Sequence, residues 1–256
     1  MSAELASDVV ADLIREVAAE IIDPHFGHLE ASMVHEKGPG DLVTDLDRRA
    51  EQELSARLGK QGGGVVVGEE AVHADPRILD QVARAEHVWV LDPIDGTRNY
   101  VRGSADHAVM VAELREGVTV RSWIWQPQLA HMWAAERGAG LRCDGQPVRR
   151  GPCGEPVRAV TSHDQFRRDD DKQVTWGRSR YCCGVDYPLM LTGQVDATVY
   201  LHSHPWDHLP GALMITELGG GVSDLDGSAH DLTAEGGPIL VAVDDHARRA
   251  VVESLR

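Results

Sequence analysis

Residues 88–97 read Val88-Trp89-Val90-Leu91-Asp92-Pro93-Ile94-Asp95-Gly96-Thr97, an apolar run that ends in two carboxylates, a proline, a glycine and a threonine. Successive apolar residues suit a buried strand, and carboxylates at the end of such a strand are costly unless something offsets their charge. Pro93 fixes its own φ and has no N–H, while Gly96 lets the backbone come close to a ligand. Asp92 and Asp95 can therefore address one point in space beside the N–H groups of Gly96 and Thr97. That grouping suits a metal-bound phosphate; an Asp-Pro/Asp-Gly turn closing a strand accounts for the same residues equally well.

Two further segments favour the site over the turn. Val65–Val67 is again apolar and runs into Gly68-Glu69-Glu70, and Trp206-Asp207 precedes an apolar helical stretch that ends at Gly219-Gly220-Gly221. Asp207 alone is what a helix N-cap looks like. Together with Glu69, Asp92 and Asp95 it completes an all-oxygen set without a thiol, the kind that Mg2+ prefers. Composition agrees: 25 basic against 41 acidic residues give a formal charge of −16, which opposes non-specific binding to nucleic-acid polymers or anionic membranes. A phosphate ester would need local cations to be held by such a chain.

With 256 residues, 42% of them apolar and 26% charged, the chain is long and apolar enough for a large core, and is neither disordered nor fibrous. Its four cysteines show no C-x-x-C spacing, and adjacent Cys182 and Cys183 are badly placed to bridge each other, so reduced thiols are expected. No leader-like start and no run of about 18 apolar residues is present, which reads as a cytoplasmic protein off the membrane.

Apolar positions at steps of three and four from Leu5 to Ile22 predict an amphipathic helix ended by Pro24. After a loop at Gly38-Pro39-Gly40, Thr44 is placed to cap a second helix carrying Leu46, Ala50, Leu54 and Leu58, closed by Gly62–Gly64. Strands are expected at 65–67, 88–91, 109–114, 118–125 and 132–135. The polar stretch Arg167–Lys172 is expected as an exposed loop between two halves. Beyond it, helix (189–191, 209–218 and from 245) alternates with strand (195–200 and 239–243), as in an α/β layer. The expected organisation is one catalytic domain over 1–256, with helices and a mainly antiparallel sheet in 1–150 and an α/β layer in 151–256.

These residues resemble the inositol monophosphatase family, Mg2+-dependent, Li+-sensitive phosphatases related to fructose-1,6-bisphosphatase. The resemblance rests on Gly68-Glu69-Glu70, on Asp92-Pro93-Ile94-Asp95-Gly96-Thr97 and on Trp206-Asp207 followed by Glu217-Leu218-Gly219-Gly220. It extends to Asp41-Leu42-Val43-Thr44 with Asp47, to Arg137-Gly138-Ala139-Gly140 before Asp144-Gly145, and to Gly193 with Asp196-Ala197. It implies a five-layered α-β-α-β-α sandwich, a homodimer, two or three Mg2+ ions and a small-molecule phosphate ester as substrate. It further implies that Glu69, Asp92 and the Ile94 carbonyl hold one ion, that Asp92, Asp95 and Asp207 hold a second, and that Glu70 helps with a third. Thr97, bonded to Asp47, would orient and deprotonate the attacking water, and the Gly96 and Thr97 N–H groups would hold phosphate oxygens.

The alcohol side departs from the family pattern. Tyr200 stands where inositol-specific members have a glutamate, and Tyr181, Cys182 and Cys183 stand where they have glycine and small residues. An aromatic wall at Tyr200, with Tyr181 and Cys183 nearby, predicts weak selectivity for inositol phosphate and better use of a flatter ester. Histidinol phosphate, sugar phosphate and the 3′-phosphate of an adenosine bisphosphate are the rival substrates. The family's metal-loop lysine is displaced: Glu36 occupies its ungapped position and Lys37 follows. Asp95-Gly96-Thr97 is also similar to the nucleophile loop of haloacid-dehalogenase-type phosphatases, but that chemistry needs aspartates separated by one residue and here two intervene. His202, His204 and His208 raise the thought of zinc, with no fourth ligand evident. A non-catalytic binder that keeps the fold is the reading from another class.

Overall fold

The computed structural model describes residues 5–38, 41–168 and 171–256. The first helix, α1 (Ser7–Val17), runs through a single π turn (Ala18–Ile22) into a 3-10 turn that holds Pro24, so the expected stripe is continuous but not uniformly α-helical. A hairpin of β1 (Val34–Gly38) and β2 (Asp41–Thr44) leads to α2 (Asp45–Gly62); Pro39 and Gly40 of the expected loop lie outside the described residues. Thr44 caps α2 in a reciprocal box: its hydroxyl accepts from the Leu46 and Asp47 N–H groups, and Asp47 Oδ2 accepts from the Thr44 N–H at 2.8 Å.

β3 (Val65–Gly68), α3 (Glu69–Ala74), α4 (Gln81–Arg84), β4 (His87–Asp95), α5 (Thr97–Val101), β5 (Ala108–Arg115), β6 (Val118–Gln126), β7 (His131–Glu136), β8 (Gly140–Cys143) and β9 (Gln146–Pro147) follow. Their strands form one sheet in chain order, β3 parallel to β4 and every other pair antiparallel. Alternation divides its two faces. Trp89, Leu91, Val109 and Val111 join α1 and α2 in one core, while Ala108 and Met110 point into another.

The second core is shared with β10 (Val157–Thr161), β11 (Val174–Arg178), α6 (Cys183–Leu191), β12 (Ala197–Tyr200), α7 (Pro205–Glu217), β13 (Gly221–Asp224), β14 (Ile239–Ala242) and α8 (Asp245–Ser254). These strands make a second sheet in the order β11-β10-β12-β14-β13. With α6 and α7 between the sheets and α8 against the second, the layers run α-β-α-β-α. Of the Arg167–Lys172 stretch, expected between two halves, residues 169–170 lie outside the described residues; the described remainder falls between β10 and its parallel neighbour β11 of the second sheet. Among the described residues no helix is long and apolar enough to cross a membrane.

Candidate active site

Side chains alternate along a strand, so Asp92 and Asp95, three residues apart, would face opposite ways in a regular β4. The register shows why they do not: Asp92 pairs with Met110 and Asp95 with Ala108, three steps on β4 against two on β5. This bulge falls at Pro93, which has no N–H for the ladder. It brings both carboxylates to the floor of one cleft, where Asp207 joins them from the first turn of α7; ligand oxygens of Asp92, Asp95 and Asp207 all lie within 4.8 Å of one another. Asp207 is the third residue of α7, not its N-cap, which is His204.

The cleft has a volume of about 560 Å³. Its lining includes Lys37, Glu69, Asp92, Ile94, Asp95, Gly96, Thr97, Tyr181, Trp206 and Asp207. Asp47 lies behind it, fully buried, with Oδ1 3.1 Å from Thr97 Oγ1, which is also 3.0 Å from the Ile94 carbonyl. Burial, and then the charge of neighbours led by Glu69, push the Asp47 carboxyl up to about 7. Asp95 is pushed up to about 6, first by burial, and Asp92 and Asp207 are also raised, by burial and then by the charge of neighbouring carboxylates, Glu69 foremost for Asp92 and Asp95 for Asp207. Such mutual repulsion is what a divalent cation relieves, and the oxygen-only donor set fits a hard ion.

A second bulge supplies a cation from the protein itself. In the β1–β2 hairpin Glu36 pairs with Leu42 and Gly38 with Asp41, so Lys37 has no partner opposite and turns inward. Its ammonium lies 2.6 Å from Glu69 Oε1 and 2.5 Å from Glu70 Oε1. Burial works against that charge, but Glu69 and Glu70 together hold the lysine above its ordinary range.

Two supporting groups escape the sequence reading. Glu51, on the face of α2 that also carries Asp47, accepts from the Glu70 and Ala71 N–H groups at 2.7 and 2.8 Å, and so fixes the turn that presents Glu69. A Cβ at Gly68 would collide with that carboxylate, which is why glycine precedes the pair. A carboxylate four residues after Asp47 on an otherwise apolar helical face was the available signal. Cys182 is the other: its thiol donates to Asp95 Oδ2 at 3.0 Å, and the Gly184 N–H donates to the same oxygen at 2.5 Å. Packing alone does not describe this cysteine.

The remaining expected residues divide. Tyr181 lines the cleft. Tyr200 and Cys183, expected on the same wall, do not: Tyr200 packs between Tyr187 and His208, with ring centroids 6.3 and 4.7 Å away, and Cys183 is buried beside the same group. Tyr200 begins its side chain on the core side of β12, and apolar packing there outweighs exposure to the cleft. The histidines do not converge as a zinc site. His208 is buried on α7 against the Tyr187 hydroxyl and the His202 carbonyl and is pushed down to about 3 by burial, whereas His204 stacks on Trp206 and pairs with Glu235.

Set against known proteins, this fold and cleft fall in the class of phosphoric monoester hydrolases. The chain belongs to the inositol monophosphatase family, whose sequence model matches residues 5–255. It is 29% identical over 255 residues to an inositol-1-monophosphatase of Mesorhizobium japonicum, covering 93% of this chain and 92% of that one. It is 28% identical over 231 residues to a putative Nus factor SuhB of Neisseria meningitidis serogroup A, covering 84% and 85%. The solved structure of a Thermotoga maritima IMPase superposes with a TM-score of 0.79 at 23% identity, covering 96% of each chain.

Proposed function

We propose that this chain is a Mg2+-dependent phosphomonoesterase that hydrolyses a small phosphorylated alcohol by direct attack of water, acting as a single catalytic domain. The observation that carries the reading is the meeting of Asp92, Asp95 and Asp207 oxygens within 4.8 Å beside the Thr97–Asp47 pair. Glu69, Asp92 and the Ile94 carbonyl would hold one ion and Asp92, Asp95 and Asp207 a second, with Glu70 beside a third. Bound ions would acidify water and offset charge on the phosphate and the departing oxygen. The protein's own part is positional. Thr97 Oγ1 orients the attacking water and takes its proton while passing its own hydroxyl proton to Asp47, and the N–H groups of Gly96 and Thr97 at the start of α5 hold phosphate oxygens in line. No residue needs to become phosphorylated.

A cytoplasmic location, supported by four free cysteines, and a homodimer complete the proposal. The test is phosphate release from inositol 1-phosphate, histidinol phosphate, a sugar phosphate and adenosine 3′,5′-bisphosphate. Turnover should require Mg2+, vanish on chelation and return on adding the ion. Absence of metal-dependent release from every ester would favour the non-catalytic reading. Light scattering of the same preparation reports the dimer.

A further inference from the structure

Tyr181 combines two features that a side chain of its size rarely shows together. Its φ is 56°, in the left-handed region that disfavours bulky residues, and the residue is 49% exposed and lines the cleft. The surrounding contacts over-determine this position. On one side the Arg180 carbonyl accepts from Asn99 Nδ2 at 2.8 Å, and the Arg180 N–H donates to Asp186 Oδ1 at 2.8 Å. On the other side Cys182 donates to Asp95. Both flanks of Tyr181 are therefore tied to the Asp95–Asn99 segment, which carries the proposed phosphate-binding groups. The phenol oxygen accepts from Arg178 Nη1 at 3.2 Å, and Arg178 is itself paired with Asp164 at 3.0 Å.

The phenol oxygen is thus engaged with Arg178, and Tyr181 brings an aromatic ring to the lining of the cleft. Elsewhere on the lining, His204 lies parallel to Trp206, 5.1 Å between centroids and 8° between planes. A polyol is selected by hydrogen bonds to its hydroxyls, whereas a flat ring is selected by stacking, which tolerates varied substituents. Resting on the phosphatase reading above, we propose that Tyr181 is a specificity-determining residue that stacks on the alcohol half of the substrate. The substrate is then a phosphomonoester whose alcohol carries an aromatic or heteroaromatic ring.

The experiment compares wild type, Tyr181→Gly and Tyr181→Phe, with Mg2+ present, on adenosine 5′-monophosphate, 2-(imidazol-4-yl)ethyl phosphate, myo-inositol 1-phosphate and glycerol 2-phosphate. Wild type should favour at least one ring-bearing ester over inositol phosphate. In Tyr181→Gly the kcat/KM ratio of that ester to glycerol 2-phosphate should fall about tenfold or more, mainly through KM. Tyr181→Phe, which keeps the ring, should hold the ratio within about threefold. Glycine relieves the backbone strain, so Tyr181→Gly should melt no lower than wild type, which separates lost stacking from lost folding. A wild-type preference for inositol phosphate, or an unaltered ratio in Tyr181→Gly, overturns this inference while the phosphatase reading stands. No metal-dependent release from any of the four esters takes down both.

Discussion

Thr97 and Asp92 separate two roles within one cleft. Thr97 touches Asp47 and the Ile94 carbonyl but is not one of the clustered carboxylates. Thr97→Ala should lower kcat by about a hundred- to ten-thousandfold with KM nearly unaltered; a change confined to KM would make Thr97 a phosphate-binding group only. Asp92 is shared between both proposed ion sites. Mg2+ near 100 times its dissociation constant should raise the melting temperature of the wild type by about 5–10 °C. Asp92→Asn should lose that rise together with activity, and a variant that kept both would remove Asp92 from the ligand set. Of the site residues, the carboxylates and Thr97 were legible because their motifs are local. Tyr200 was misread because its neighbours across the core, Tyr187 and His208, are not adjacent to it in the chain.

Two bulges do at the level of elements what regular strands cannot. The bulge in β4 gathers Asp92 and Asp95 on one side, and the bulge in β1 swings Lys37 between Glu69 and Glu70. In chelator, Lys37→Met should destabilise the fold by about 3 kcal/mol, because one buried carboxylate and one partly buried carboxylate lose their counter-charge. Mg2+ should restore more stability to the variant than it adds to wild type. Chemical denaturation with and without the ion measures both, and equal unfolding midpoints for the two proteins in chelator would show that the ammonium does not stabilise the pair. The β4 bulge was foreseeable from Pro93; the β1 bulge was not, since nothing in Glu36-Lys37-Gly38 marks an unpaired residue.

At the scale of the molecule, Asp196 ties the segment leaving the first sheet to the second. Its carboxylate accepts from Arg158 Nε at 2.8 Å and from Arg150, whose Nε reaches the Met190 carbonyl. Burial alone would raise this group, but the hydrogen bonds from Arg158 and Arg150 outweigh it and hold the carboxyl below its ordinary value. A depressed pKa stabilises the fold above the unfolded value of about 3.9 and ceases to do so as pH falls through the folded value. Asp196→Asn should therefore cost about 3–5 kcal/mol at pH 7, and the gap from wild type should narrow below about pH 4. Urea midpoints at pH 7 and pH 3 test this; a gap as wide at pH 3 as at pH 7 contradicts it.

By itself the sequence determined the carboxylate motifs and many of the elements, though not β10 and β11. The helical stripe of 5–22, the Thr44 cap, the apolar strands and the three carboxylate motifs depend on periodicity and local chemistry, which a few neighbouring residues suffice to express. Only the tertiary structure decided which groups meet. Glu51 behind the Glu69 turn, Cys182 on Asp95, Lys37 in the carboxylate cluster and Tyr200 against Tyr187 are contacts between different elements. Such contacts are set by strand register and by competition for space in a close-packed interior, and neither is written in the local pattern of residues.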